Sequence, residues 1–467
     1  MSVIISKEYL IKECAISMQY NESFLKGSIP KALVKFAIPL MIANILQILY
    51  TTVDMYIVGH FAQTADVSAV ATAGMVMTCI TFAVSGFSMG VSVLVGQFAG
   101  AKKPEEISKT VGAGIILFII IALVITLPIV FLARPLVGLL NAPAEAVDQT
   151  CAYLTICCSG LVFIMGYNFV CSIMRGMGNS KAPMTFVIVS SIVNIIGDIV
   201  LVAVFHMGAA GAALATVASQ AVSFVFALCY FKIKGAGFSL NRKHIRFNPE
   251  YLGKIFKIGA PIALQEFLVN LSFVLITGII NGMGLGASAA SGIVEKAFMF
   301  SCIPIMAFSS SVASMSSHNI GAGQPERAVK AMWTGISICL IVTVLFNILT
   351  FFRGDLVISI FSSDPDVIEN GRLYIKSYAF DQIALSFVFI MNGYFNSCGH
   401  SVFTMIHSLI TTFAIRVPLA LFFSKMAGAT LLHIGIAAPV SSLASIIICI
   451  VFLMHQKKKR EQETLQA

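Results

Sequence analysis

The chain is short of charge. Only 11% of its 467 residues are Asp, Glu, Lys or Arg, against 58% hydrophobic, and its mean hydropathy is +0.92. Soluble domains carry about 25% charged residues. This composition excludes an ordinary water-soluble globule and places most of the chain against lipid or other membrane helices. No Gly-x-x-x-x-Gly-Lys-Ser/Thr loop is present, so nothing in the chain cradles the phosphates of ATP. The eight histidines have no metal-ligand spacing, and His60, His206 and His400 fall at loop edges. No convergent Ser/His or His/Asp group sits inside an apolar run, which argues against a membrane-embedded enzyme. The eleven cysteines are not paired in spacing. Most of them (Cys79, Cys157, Cys158, Cys171, Cys229, Cys339, Cys449) lie inside apolar runs as small fillers, with no disulfide frame and no metal site. The net charge of +9 does not imply nucleic acid, because the basic residues are spread over short segments between apolar runs.

Long apolar runs are what the chain has in quantity. A bilayer core takes about 20 apolar residues per helix, and the pattern predicts an all-α membrane protein with twelve such helices. They fall at about 33–58, 68–96, 111–132, 148–174, 182–205 and 208–232, then 251–281, 286–317, 328–352, 369–398, 402–424 and 430–454. Their grouping predicts an N-terminal extension over 1–27, a six-helix lobe over 28–232, a linker over 233–250, a second six-helix lobe over 251–454 and a basic tail over 455–467. Residues 1–27 are polar and mixed in charge, without an apolar core and small-residue cleavage site, so no cleaved signal peptide is expected. With the N-terminus in the cytoplasm, the outer loops hold only Arg134, Arg353 and Lys425, while the inner segments hold nearly all the other loop lysines and arginines. That bias predicts both termini inside and an even number of spans.

The chain repeats itself. Lys35-Phe-Ala-Ile-Pro39 returns as Lys257-Ile-Gly-Ala-Pro261, 222 residues later. Gly100-Ala101-Lys-Lys-Pro104-Glu105 returns as Gly321-Ala322-Gly-Gln-Pro325-Glu326, and Gly178-Asn-Ser180 as Gly399-His-Ser401, both at 221. Six spans per half start both halves on the same side, so the repeats are parallel and a cavity is expected between them, an arrangement typical of transporters. Pro39 and Pro261 remove a backbone hydrogen bond near the starts of matching helices and permit kinks there.

Intramembrane polar residues mark the candidate site. Asn44, Gln47, Tyr50, Thr51 and Asp54 recur at helical spacing, and Asp198 lies four residues after Asn194 in another apolar run. A carboxylate near the bilayer centre costs roughly 2.5–3.5 kcal/mol even on the lenient insertion scale. Either each Asp merely bonds a neighbouring helix, or the two form a coupling site. Two carboxylates in a low-dielectric site disfavour joint ionisation, so a pair can hold a proton or a Na⁺ ringed by neutral oxygens. The second half offers Glu266, Glu295 and Asp381, and Arg416 stands at the repeat position of Asn194. A buried arginine must pair or face water, so Arg416 is either a structural ion-pair partner or a gate. Where the first half has Gln97, the second has His318.

Taken together, these motifs resemble the multidrug and toxic compound extrusion (MATE) family of secondary transporters. The resemblance runs through Ala37-Ile-Pro39, Val53-Asp54, Gly96-Gln97-Phe-Ala-Gly100-Ala101, Arg175-Gly176-Met-Gly178-Asn-Ser-Lys181-Ala-Pro183, and Gly208-Ala-Ala-Gly211-Ala-Ala-Leu-Ala-Thr216. It covers about residues 28–455 and implies twelve helices in two six-helix lobes forming a V. It also implies export of amphipathic, often cationic, drug-like compounds in exchange for Na⁺ or H⁺, with no other cofactor. Asp54, Asn194, Asp198 and Thr216 match the family's N-lobe cation cluster, with Tyr50 and Asn168 beside it. A multi-pass, monomeric protein of the plasma membrane is expected. A lipid-linked saccharide flippase of a related superfamily is the alternative. That reading calls for a strongly basic cavity, and here Arg416 and Lys296 are nearly alone.

Overall fold

The computed structural model describes residues 22–140, 143–235 and 237–466. Residues 1–21 of the expected N-terminal extension lie outside them. Every regular element among the described residues is helical. The first half comprises α1 (Glu22–Leu25), α2 (Ile29–Phe61), α3 (Thr64–Gly100), α4 (Pro104–Phe131), α5 (Ala133–Leu139), α6 (Val147–Ser159), α7 (Leu161–Gly176), α8 (Lys181–Asp198) and α9 (Gly208–Lys234). The second half comprises α10 (Pro249–Asn281), α11 (Leu285–Gly321), α12 (Pro325–Phe352), α13 (Gly354–Ser359), α14 (Pro365–Ser397), α15 (Ser401–Leu409), α16 (Val417–Ser424) and α17 (Leu431–Gln466). Two π-helical segments fall in the fifth spans: Ile199–Val204 ends that of the first half, and Ile410–Arg416 interrupts that of the second.

Among the described residues, eleven helical stretches are long and apolar enough to cross a membrane, and a bent pair supplies the twelfth. The expected single helix over 148–174 is that pair. Ala144–Ser159 and Leu161–Gly176 meet at 48° across Gly160. A Cβ at Gly160 would strike the Val217 side chain, so the glycine admits α9 and marks the kink. The last helix also departs from expectation. It runs on to Gln466 and takes the basic tail with it. Two repeat motifs acquire a physical reason. Gly178 and Gly399 both adopt positive φ, 78° and 80°, in the turns that precede the fifth spans, a backbone region that side-chain-free glycine enters readily.

Packing divides the chain into two compact units that follow its two sequence halves except at a few helix ends. The first unit holds Ile38–Ala263 and Ser317–Pro325, together with α1. The second holds Ile29–Ala37, Leu264–Ser316 and the chain from Glu326 onward. The boundaries cut through continuous helices, at Ala37/Ile38 beside Pro39 in α2 and at Ala263/Leu264 just past Pro261 in α10.

In the first unit α3 presents a small-residue face. A Cβ on Gly90 would lie 3.0 Å from both the Gly259 nitrogen and the Ile255 carbonyl of α10, and one on Gly86 would collide with Ala263. Small residues permit such close approach without a hydrophobic driving force. The stretch expected as an inter-lobe linker, and the start of α10 just after it, pack against α4. Ser108 Oγ donates to the Ser239 carbonyl at 2.9 Å, and the Tyr251 hydroxyl donates to Glu106. At the end of α3, a Cβ on Gly100 would strike the His318 carbonyl, and one on Gly321 would strike the Gln97 carbonyl. The two contacts are reciprocal. In the second unit polar side chains join the helices. Ser311 Oγ donates to the Leu33 carbonyl at 3.0 Å, and Asn347 Nδ2 to the Ala379 carbonyl at 2.8 Å. His407 bridges Asn392 and Ser445 at 2.8 and 2.9 Å.

Candidate functional site

Asp54 lies on α2 one turn before Ile57 and Val58. Those two pack with Tyr153, Leu154 and Cys157 of α6, Val202 of the first π segment, and Ala209, Ala212 and Ala213 of α9. Residues three apart share a helix face, so the carboxylate is drawn into the same seam and is 9% exposed. The rest of the expected polar row is not buried with it. Gln47 and Thr51 are exposed and Asn44 half-buried. Thr51 turns its hydroxyl back to the carbonyls of Gln47 and Ile48, at 3.1 and 2.9 Å. Tyr50, half-buried, stays within electrostatic reach of Asp54.

The second carboxylate comes from the seam between α8 and α9. Ser223 Oγ donates to the Phe186 carbonyl at 3.0 Å, and Gln220 Nε2 to Ser190 Oγ at 3.3 Å. A Cβ on Gly197 would sit 2.9 Å from that of Ala215. These pairs define one antiparallel register, and that register sets Asn194 level with Thr216. Asn194 and Asp198 share a face four residues apart and are 1% and 0% exposed. Asp198 is the last α-helical residue before the π segment. Such wide turns recur at functional sites because they re-aim side chains. Asp198 lies within electrostatic reach of Asp54, and Tyr153 within reach of both acids.

These buried groups are short of partners. Asp54 Oδ1, both Asp198 oxygens and both polar side-chain atoms of Asn194 have no hydrogen-bond partner among the described residues. Buried polar groups normally find one, and an exception calls for an ion, a water or a chemical role. The carboxylate oxygens, joined by the Asn194 amide oxygen, suit a small hard cation or a shared proton. The structure thus brings together Asp54, Asp198, Asn194, Thr216 and Tyr50. Asn168 instead donates its amide to the Ile164 carbonyl one turn back, at 2.8 Å. Tyr153 was not anticipated. It sits among Leu154, Ile156 and Cys157 with no acid at helical spacing, so a search for intramembrane carboxylates passes over it.

The second-unit residues form a different kind of cluster. The Arg416 guanidinium lies 4.1 Å over the Phe273 ring. Glu295 accepts from Thr277 at 3.3 Å, and Asp381 from Ser442 at 2.6 Å. Both acids are within electrostatic reach of Arg416. Glu266 lies two turns before Phe273 on the same face of α10 and joins neither acid. Its neighbour Gln265 bonds Ser408 at 3.1 Å.

The MatE family profile matches residues 39–200 and 261–422, one copy in each half. The chain is 26% identical over 434 residues to the probable multidrug resistance protein YpnP of Bacillus subtilis, covering 93% of this chain and 96% of that one. It is 25% identical over 442 residues to the multidrug export protein MepA of Staphylococcus aureus (strain MSSA476), with the same coverages. Among solved structures, a MOP superfamily transporter from Pyrococcus furiosus matches with a TM-score of 0.87 at 20% identity, covering 93% of this chain and 98% of that one. A MATE protein in complex with MaD3S matches at 0.88 and 20%, covering 94% and 98%. At those identities the structural likeness carries the fold alone. Both copies of the repeat answer to one family profile, and the chain belongs to the MatE family: it is a multi-pass membrane transporter with the MATE fold, and not an enzyme.

Proposed function

We propose that this transporter is a multidrug exporter that exchanges a drug-like amphipathic solute for Na⁺ or H⁺ by alternating access. The exchanged ion binds the cluster of Asp54, Asn194, Asp198 and Thr216, with Tyr50 and Tyr153 at its edge. The observation that carries the assignment is the set of buried, unpartnered atoms on Asp54, Asn194 and Asp198. An ion or proton there supplies the missing partner in one half of the cycle, and its loss returns the site to a strained state in the other. Solute export is supported by relatives that match over nearly their whole length and are multidrug resistance and multidrug export proteins. The lipid-linked saccharide flippase is not favoured by those relatives. The positive-inside bias supports a plasma-membrane protein with both termini cytoplasmic.

The decisive measurement is efflux of a fluorescent cationic dye from proteoliposomes under separately imposed Na⁺ and pH gradients. Efflux by the wild type under one gradient, lost in Asp54→Asn and Asp198→Asn at equal reconstitution, names the ion and upholds the site. Efflux that persists in both variants moves coupling to Glu266, Glu295 or Asp381.

A further inference from the structure

The two profile matches hold a constant offset, from 39 to 261 and from 200 to 422. At that offset the second-half counterparts of Asp54, Asn194 and Asp198 are Ile276, Arg416 and Ala420. Neither acid is repeated, and the one polar position that persists has gained a positive charge. Ile276 and Ala420, 5% and 0% exposed, belong to one apolar cluster with Tyr374 and Tyr378. The twin of the carboxylate pair is therefore packed shut with hydrocarbon, beside an arginine.

A membrane-buried arginine needs countercharge or water. Arg416 is 9% exposed, and its Nε has no hydrogen-bond partner. Among the described residues no carboxylate bridges it directly. Its surroundings are arranged on α10. Phe273, under the guanidinium, and Thr277, which bonds Glu295, stand one turn apart on a single face. Arg416 and Glu295 are thereby seated on adjacent turns, and Asp381 reaches the same region from α14. One guanidinium and two carboxyl groups leave no net positive charge once either acid is ionised. That balance disfavours an anionic solute as the arginine's partner and favours a role toward the acids.

We propose that Arg416 is a resident cation, a tethered guanidinium that serves Glu295 and Asp381 throughout the cycle and keeps a coupling ion out of the second unit. Exchange is then confined to the Asp54–Asp198 cluster. This asymmetry rests on the coupling assigned there, whereas the guanidinium's own role does not.

The test removes the tethered cation and offers a free one. Thermal unfolding of the purified full chain is followed for wild type, Arg416→Lys and Arg416→Ala, each with guanidinium, Na⁺ or choline chloride at low-millimolar concentration. The expected result is a rise of several degrees for Arg416→Ala with guanidinium or Na⁺ and none with choline, by ordinary binding linkage. Wild type and Arg416→Lys, which keep the charge, do not respond beyond what Asp54→Asn abolishes. A folded Arg416→Ala that ignores both cations overturns the proposal. If Arg416→Ala does not fold, the uncharged triple variant Arg416→Ala/Glu295→Gln/Asp381→Asn is expected to restore a folded monodisperse protein, and failure to do so is equally fatal. Ion-driven efflux that survives in Asp54→Asn sinks the first-unit assignment instead, and leaves the guanidinium result standing by itself.

Discussion

Asp198 is 0% exposed with both oxygens unpartnered, which makes it the most costly side chain in its span. Leaving a buried polar group unsatisfied costs about 1–3 kcal/mol, and more when it is charged. Asp198→Asn is therefore expected to raise the unfolding midpoint in ion-free alkaline buffer while abolishing coupled efflux, the usual trade between stability and function. A fall in midpoint would show that the carboxylate has a structural partner. Asp54, Asn194 and Asp198 were legible in the sequence because a polar group in a long apolar run has few innocent explanations. Thr216 came only from family resemblance, and the α8–α9 register now gives it a place opposite Asn194. Asn168 came the same way and is turned back on its own helix. Tyr153 was illegible, because a tyrosine in an apolar stretch carries no sign of what it faces.

Helical spans are easy to read and their interruptions are not. Length and hydropathy located the runs, but the first π segment has no compositional mark, and the second has only Pro418 just past its end. Ile199–Val204 is as apolar as the α-helix before it. A π turn accommodates one residue more than an α turn would. Deleting Val200 is expected to leave a membrane-inserted helix yet reduce coupled efflux by about tenfold or more, since a misplacement of about 1 Å suffices to disable a site. Wild-type efflux from the deletion would mean that the segment does not aim Asp198. Gly160 illustrates the same limit. Its close contact is with Val217 of another helix, and no reading of local sequence includes that neighbour.

Across the whole molecule, repetition was legible and the bounds of the compact units were not. The repeat is written in motifs, whereas the units depend on which helix ends pack together. Leu33 and Ile255 are twins at the repeat offset, and each has its carbonyl approached from a second helix, by Ser311 in one case and at Gly90 in the other. The two contacts differ in kind. Ser311→Ala removes one hydrogen bond and is expected to cost only about 0.5–1.5 kcal/mol. Gly90→Leu must push two backbones apart and is expected to abolish folded protein, as size-exclusion profiles of the purified variants would reveal. Similar mild losses from both would show that α3 and α10 can separate cheaply.

The reciprocal crossing at Gly100 and Gly321 carries a historical consequence. One glycine meeting the partner's carbonyl, and the partner's glycine meeting one's own, is the arrangement of a self-complementary dimer interface. A single-copy ancestor joined through this contact would have felt every mutation of that glycine twice, once in each subunit. Within one chain that doubling would be gone. Gln97 and His318 differ between the copies, as positions whose side chains can change one at a time would. Both copies keep glycine, where a Cβ would strike backbone.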